Sequence, residues 1–211
     1  MTFDDAFDHW CETLRAAGFA VGSFLNAPAT DATIDSLQAQ IGFDLPNDLR
    51  ALYLRADGQT PPFGLTDPFP GEVVLPFFGT YDFISTERAL GAYEQWKQIF
   101  DEAGDQFSYN FDEFCTVRDG DPVIKAYWQP GWLPFSIDGG GNSYAVDLSP
   151  PSNGSYGQVI LIGPDEDERR VLAPSLCEFL IRLSKLDLVF HESSDVWRCF
   201  DIERLSPKTT S

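Results

Sequence analysis

The chain has 211 residues, 43% of them hydrophobic and 14% aromatic, which is enough for a sizeable core and too much for wholesale disorder. No apolar run is long enough to span a bilayer, and the opening MTFDDAFDHW lacks the basic and apolar regions of a secretion signal, so a cytoplasmic protein is expected. A formal charge of -19 argues against binding nucleic acid or an anionic membrane; it suits either plain solubility or attraction to a basic protein partner.

Apolar spacing predicts a first helix over 3–17, through Phe3, Phe7, Trp10 and Leu14, with Asp4 and Asp5 in its first turn and Gly18 as its stop. Asp31 offers an N-cap for a second helix, with Ile34, Leu37 and Ile41 on one face and Gly42 at its end. A third runs from Leu45-Pro46 to about Ala56, with Pro46 acceptable at the first position. The prolines and glycines of 59–71 read as a loop. Val73–Phe78 and Tyr81–Ile84 suit short strands. Thr86 then caps a fourth helix reaching about Phe100, with Leu90, Tyr93, Trp96 and Phe100 on one side. The acidic, mixed stretch 101–127 has no clear periodicity and is treated as an insertion.

Residues Trp132–Leu148 read as a β-hairpin around Gly139-Gly140-Gly141-Asn142, with Asp138 opposite Ser143. Leu133, Phe135, Ile137, Tyr144, Val146 and Leu148 then share an apolar face. Ser136, Asp138, Ser143, Ala145 and Asp147 form a polar one. Trp132 falls on the polar side, either covered by the 101–127 segment or exposed as a contact residue. Gly157–Ile162 suits a further strand, 163–168 a charged turn, and Pro174 the start of a long last helix with Leu176, Phe179, Leu180, Leu183 and Leu186 at core spacing. The tail 188–211 carries Trp197, Phe200 and Ile202, which suit partial packing, and its last six residues are expected to fray.

Signals for chemistry are weak. There is no GxSxG, and His9 and His191 lie near opposite ends of the chain. The GGGN loop is followed by a strand and not by Lys-Ser/Thr and a helix, so a turn is the better reading than a phosphate cradle. Asp165-Glu166-Asp167-Glu168 lacks the EF-hand pattern. Cys11, Cys115, Cys177 and Cys199 contain no CxxC pair, which argues against a disulfide framework or a zinc knuckle.

Several motifs occur together in order: Leu45-Pro46-x-x-Leu49-x-x-Leu52-Tyr53, Asp57-Gly58, Trp132-Leu133-Pro134-Phe135, Asp138-Gly139-Gly140-Gly141-Asn142, Asp147-Leu148 and Gly157-Gln158-Val159-Ile160. In this order the chain resembles the SMI1/KNR4 family, or SUKH superfamily, over roughly residues 31–187. The resemblance implies an α+β fold, a mostly antiparallel sheet packed by N-terminal and C-terminal helices, in one domain over 1–211. It also implies a binding role and not an enzymatic one. Bacterial members resemble immunity proteins that neutralise a cognate toxin, commonly a nuclease or another nucleic-acid-modifying enzyme; eukaryotic relatives resemble cell-wall and signalling regulators. The expectation taken forward is an immunity protein that binds a basic toxin, with a regulatory scaffold as the alternative. The partner-binding candidates are Asp112, Glu113, Asp119, Asp121, Trp132 and Asp138. No catalytic, metal or cofactor residue is assigned, and the oligomeric state is left open.

Overall fold

Thr2 starts the first helix, α1 (Phe3–Ala16), with a reciprocal cap: Asp5 N donates to Thr2 Oγ1 and Thr2 N to Asp5 Oδ2, so two otherwise orphaned amides are satisfied. Its buried side carries Phe7, Trp10 and Leu14, and Trp10 Nε1 donates to Phe77 O at 3.0 Å. The computed structural model describes residues 1–60, 76–79 and 81–186, the side chains of 108–110 excepted, and the backbone of a final strand pair. A short turn of helix, α2 (Val21–Phe24), follows. Next, α3 (Asp31–Ile41) has the predicted span, capped by Thr30 instead of Asp31 and stopped by Gly42 at φ 77°. Helix α4 (Asn47–Arg55) begins after Pro46 and buries Leu49, Leu52 and Tyr53.

The Asp57-Gly58 motif ties α4 to the long helix α5 (Thr86–Ala103). Asp57 accepts from Thr86 N at 2.7 Å and from Thr86 Oγ1 at 3.2 Å. Gly58 has φ 81°, and a Cβ there would lie 2.5 Å from Ser85 N, so no other residue fits without strain. Next to it, Gln59 Oε1 accepts from Phe77 N and Phe83 N, holding the chain on both sides of the 61–75 stretch.

The sheet runs β2 (Thr116–Val117), β7 (Glu168–Ala173), β6 (Gln158–Ile162), β5 (Ser143–Asp147), β3 (Trp132–Pro134). β2 lies parallel to β7 and the remaining pairs are antiparallel. A separate pair joins β1 (Asp82–Phe83) to β4 (Ser136–Ile137). Helix α7 (Leu176–Leu183) covers one face through Phe179, which meets the rings of Phe135, Tyr144 and Phe78. Helix α5 packs on β3 at the other face, beside Pro134, and α1 and α4 pack against α7. Two further strands, β8 (Val189–His191) and β9 (Val196–Arg198), form an antiparallel pair in the tail. Phe200, Ile202 and the last six residues lie outside the described residues.

Four sequence expectations change. The hairpin exists, but Trp132 faces Asp147, a shift of two residues from the Asp138–Ser143 register. The shift keeps Trp132, Leu133 and Pro134 on their expected faces, whereas Ile137 moves to the side of Pro134. It arises because Ser136 Oγ takes the amide of Tyr144 at 2.8 Å while Ser136 and Ile137 turn away to pair with β1. The expected polar face is not solvent-facing: all of β5 is buried, with α5 packed on the neighbouring β3. β7 covers residues between the expected charged turn at 163–168 and the helix start at Pro174, for which no strand was expected; it is an interior strand that contains two buried arginines. Of the expected strand over 73–78, residues 73–75 lie outside the described residues, and Phe77 and Phe78 form a turn.

The 101–127 segment is woven into the sheet. It forms α6 (Gln106–Phe111), a 3-10 turn (Asp112–Phe114) and the edge strand β2, and it buries Phe107, Cys115, Val123 and Ala126.

Candidate protein-binding cleft

The six candidate contact residues have separate fates. Trp132 is 0% exposed and is a core residue beneath α5. Asp112 accepts from Tyr127 N at 2.7 Å, and Asp121 from Val171 N at 2.7 Å; both hold backbone. Burial pushes the Asp121 carboxyl up, and the bond from Val171 partly opposes this. Asp138 accepts from the amides of Gly140 and Asn142, both at 2.8 Å, and closes the glycine turn. Only Glu113 and Asp119 are exposed, with Phe114 (70% exposed) beside Glu113.

The remaining family motifs are structural in the same way. Asp147 is buried and its carboxyl is pushed up by desolvation, against bonds from Ser149 N and Gln158 Nε2. Gln158 also reaches Pro122 O at 2.7 Å, so the 121–127 strap is fixed to the sheet. At the hairpin tip, Asn142 bonds Asp138 and Asp165 through Nδ2 and takes the amide of Asp165 on Oδ1. Gly163 must be glycine there, since a Cβ would lie 2.4 Å from Asn142 Cα.

What these devices jointly leave open is a cleft of about 280 Å³ between α5, the hairpin tip and the β6–β7 turn. Its apolar walls include Trp96 and Ile99 of α5, Tyr127, Ile137 and Pro164. Trp96 and Tyr127 are half-buried, with ring centroids 5.4 Å apart. Tyr127 is fixed from behind by Asp112 and by Arg169. The Arg169 guanidinium, 0% exposed, sits 5.4 Å from the ring centre and donates to Ala126 O, Tyr127 O and Glu166 O. Desolvation pulls the affinity of Arg169 for its proton below the usual value. Trp128 lines the cleft as well, and its buried indole N–H has no acceptor among the described residues.

None of these cleft residues was singled out as a site from sequence. Trp96 was read as core, and Tyr127 lay in the unassigned stretch. The available signal was an α5 apolar stripe wider than one packing face needs, since Ile99 extends the set Leu90, Tyr93, Trp96 and Phe100. Among the described residues, no group of His, Cys, Asp and Glu is placed to hold a metal. No described helix is long and apolar enough to cross a membrane.

A helix-flanked, mostly antiparallel sheet whose loop carboxylates bind its own backbone defines a small α+β module. The chain belongs to the SMI1/KNR4 family (SUKH-1), whose sequence profile matches residues 28–182. It is 46% identical to a glucan synthesis regulatory protein of Neurospora crassa over 86% of this chain and 37% of that protein. It is 32% identical to the cell wall biosynthesis/cell cycle regulator smi1 of Schizosaccharomyces pombe, over 72% of this chain and 29% of the relative. A shorter match, 44% over 59 residues, is to the cell wall assembly regulator SMI1 of Saccharomyces cerevisiae, covering 28% of this chain and 12% of that one. The chain thus spans about a third of the length of the first two relatives. These fungal regulators overturn the toxin-immunity expectation and favour the regulatory alternative. The family motifs mark the shared scaffold, which both branches use, and so carry no information on which branch a chain belongs to.

Proposed function

We propose that this chain is a regulatory binding domain acting in the control of cell-wall glucan synthesis, that it works by contact with other proteins, and that it performs no reaction of its own. The observation that carries this reading is the similarity to the Neurospora crassa regulator across most of this chain. The structure supports it physically. The motif carboxylates Asp57, Asp138 and Asp147 are engaged with backbone and side-chain donors of their own fold. The half-open aromatic surface at Trp96 and Tyr127 is of the kind that supplies anchors at protein interfaces.

The test is replacement. In Neurospora crassa the matching segment of the regulator is exchanged for this chain, and wall glucan and resistance to wall-weakening agents are measured against deletion of the same segment. Restoration of both is expected. A chain that accumulates to normal levels and restores neither overturns the reading.

A further inference from the structure

We infer that the cleft between α5 and the hairpin tip receives an extended, proline-containing segment of a partner protein that carries a Lys or Arg next to its prolines. This rests on the regulatory reading and specifies its partner. Size narrows the occupant first. At about 280 Å³ the cleft is too narrow for an α-helix, whose diameter with side chains is roughly 10–12 Å, yet it accommodates a few small rings or methyl groups. The edge strand β3 reaches it at Pro134, which has no N–H to offer an added strand, so this edge is poorly suited to strand addition. Two aromatic rings line the cleft, Trp96 and Tyr127, tilted at 60° to one another, with Ile99 and Pro164 also in its wall. Proline rings stack on such surfaces and lose little entropy, because the polyproline II helix is already ordered. That helix makes no internal hydrogen bonds, so its carbonyls need donors. Gln95 supplies an exposed amide at the rim.

Charge gives the rest. Asp138 and Asp165 share the Asn142 amide at one end of the cleft. Asp165 Oδ2 lies 2.8 Å from where a Cβ of the lining residue Gly140 would sit. Among the described residues no cation pairs with either carboxylate. By contrast, α5 neutralises its own Asp101 with Lys97 at 2.5 Å. A partner's Lys or Arg beside the prolines would meet both acids, in a chain whose net charge of -19 already attracts cations.

The test uses the full chain and fluorescence anisotropy with three labelled peptides, built of repeated Pro-Pro-Lys, Ala-Ala-Lys or Pro-Pro-Glu units. The Pro-Pro-Lys probe is expected to bind at least about tenfold tighter than the other two, the scale of one interfacial anchor. Trp96→Ala should cost about tenfold, and the double change Asp138→Asn with Asp165→Asn about threefold for the lysine probe alone. Should Trp96→Ala unfold by circular dichroism, Ile99→Arg fills the same slot from the same helix and should give the same loss. Ser36→Arg, in the separate groove between α3 and α5, should change nothing. Equal binding of the lysine probes with and without proline overturns the proposal. So does undetectable binding of all three, or loss on Ser36→Arg instead of at the cleft. In the replacement assay, rescue by a chain carrying Ile99→Arg would sink the cleft alone, whereas no rescue by the wild-type chain would sink the regulatory reading itself.

Discussion

The two faces of the sheet are filled by different means. Toward α7 the packing is ring on ring: Phe179 lies 5.0 Å from Tyr144, and Phe78 lies 5.2 Å from Phe135. Toward α5 the same strands present Asp147, Gln158 and Arg169, and the packing stops short at the cleft. Aromatic interlock tolerates little change in volume, whereas hydrogen-bonded inserts fix the position of the walls around a gap. The contrast suggests that stability is concentrated on the α7 side and recognition on the α5 side.

The first way to break that comparison is Phe179→Ala, which empties the ring cluster and should cost about 3–5 kcal/mol in denaturant unfolding. A loss under about 1 kcal/mol would mean that the α7 side collapses easily and is not the stiff one. Second is Arg169→Met, which leaves three carbonyls without their donor; about 2–4 kcal/mol should be lost, and peptide binding should weaken as Tyr127 loosens. A gain in stability would show instead that desolvating the guanidinium outweighs its hydrogen bonds.

A third, smaller effect depends on pH. Burial pushes the Asp82 carboxyl from 3.8 up to about 6, against the nearby charge of Arg88, and its Oδ1 has no donor among the described residues. The folded state therefore holds this proton more tightly than the unfolded one. Stability is greatest below pH 3.8 as far as this group is concerned, and it falls as pH rises toward and through about 6. Asp82→Asn should remove that slope and add about 1 kcal/mol at neutral pH, after discounting for partial solvent screening. Melting temperatures of the two proteins that run parallel between pH 4 and pH 7 would contradict it, with the pH range set by the shift itself. The smallest effect belongs to Glu113→Lys and Asp119→Lys, both exposed, which should stay within about 0.5 kcal/mol of wild type.

Much of the scaffold was legible in the residues. The C-terminal stop of α3 at Gly42, the glycine turn at Asp138–Asn142 and the strand around Val159 follow from capping, turn chemistry and β-branched runs. β7 did not, because Arg169 and Arg170 in a strand look like surface until the carbonyls of Ala126 and Tyr127 are brought to them from a distant strap. The hairpin register was missed for a related reason. A side-chain oxygen, Ser136 Oγ, takes the place of a ladder carbonyl, and periodicity carries no trace of that exchange. The site was the least legible part. Alternation put Trp132 on a face that looked solvated, when an 18-residue helix from elsewhere in the chain covers it. The acids that looked like a docking rim, Asp112 and Asp121, are tethers for the strap that positions Tyr127 and its neighbours.

The packing of α1 against α7 joins opposite ends of the described chain. During synthesis Phe7 and Trp10 leave the ribosome well before the helix that packs against them is made. They have to be kept from other sticky surfaces throughout elongation, so this domain acquires its native state only after Leu183 has been added. Stop codons upstream of Leu176 would therefore release chains that are recognised as unfinished and destroyed, instead of shortened versions with partial activity.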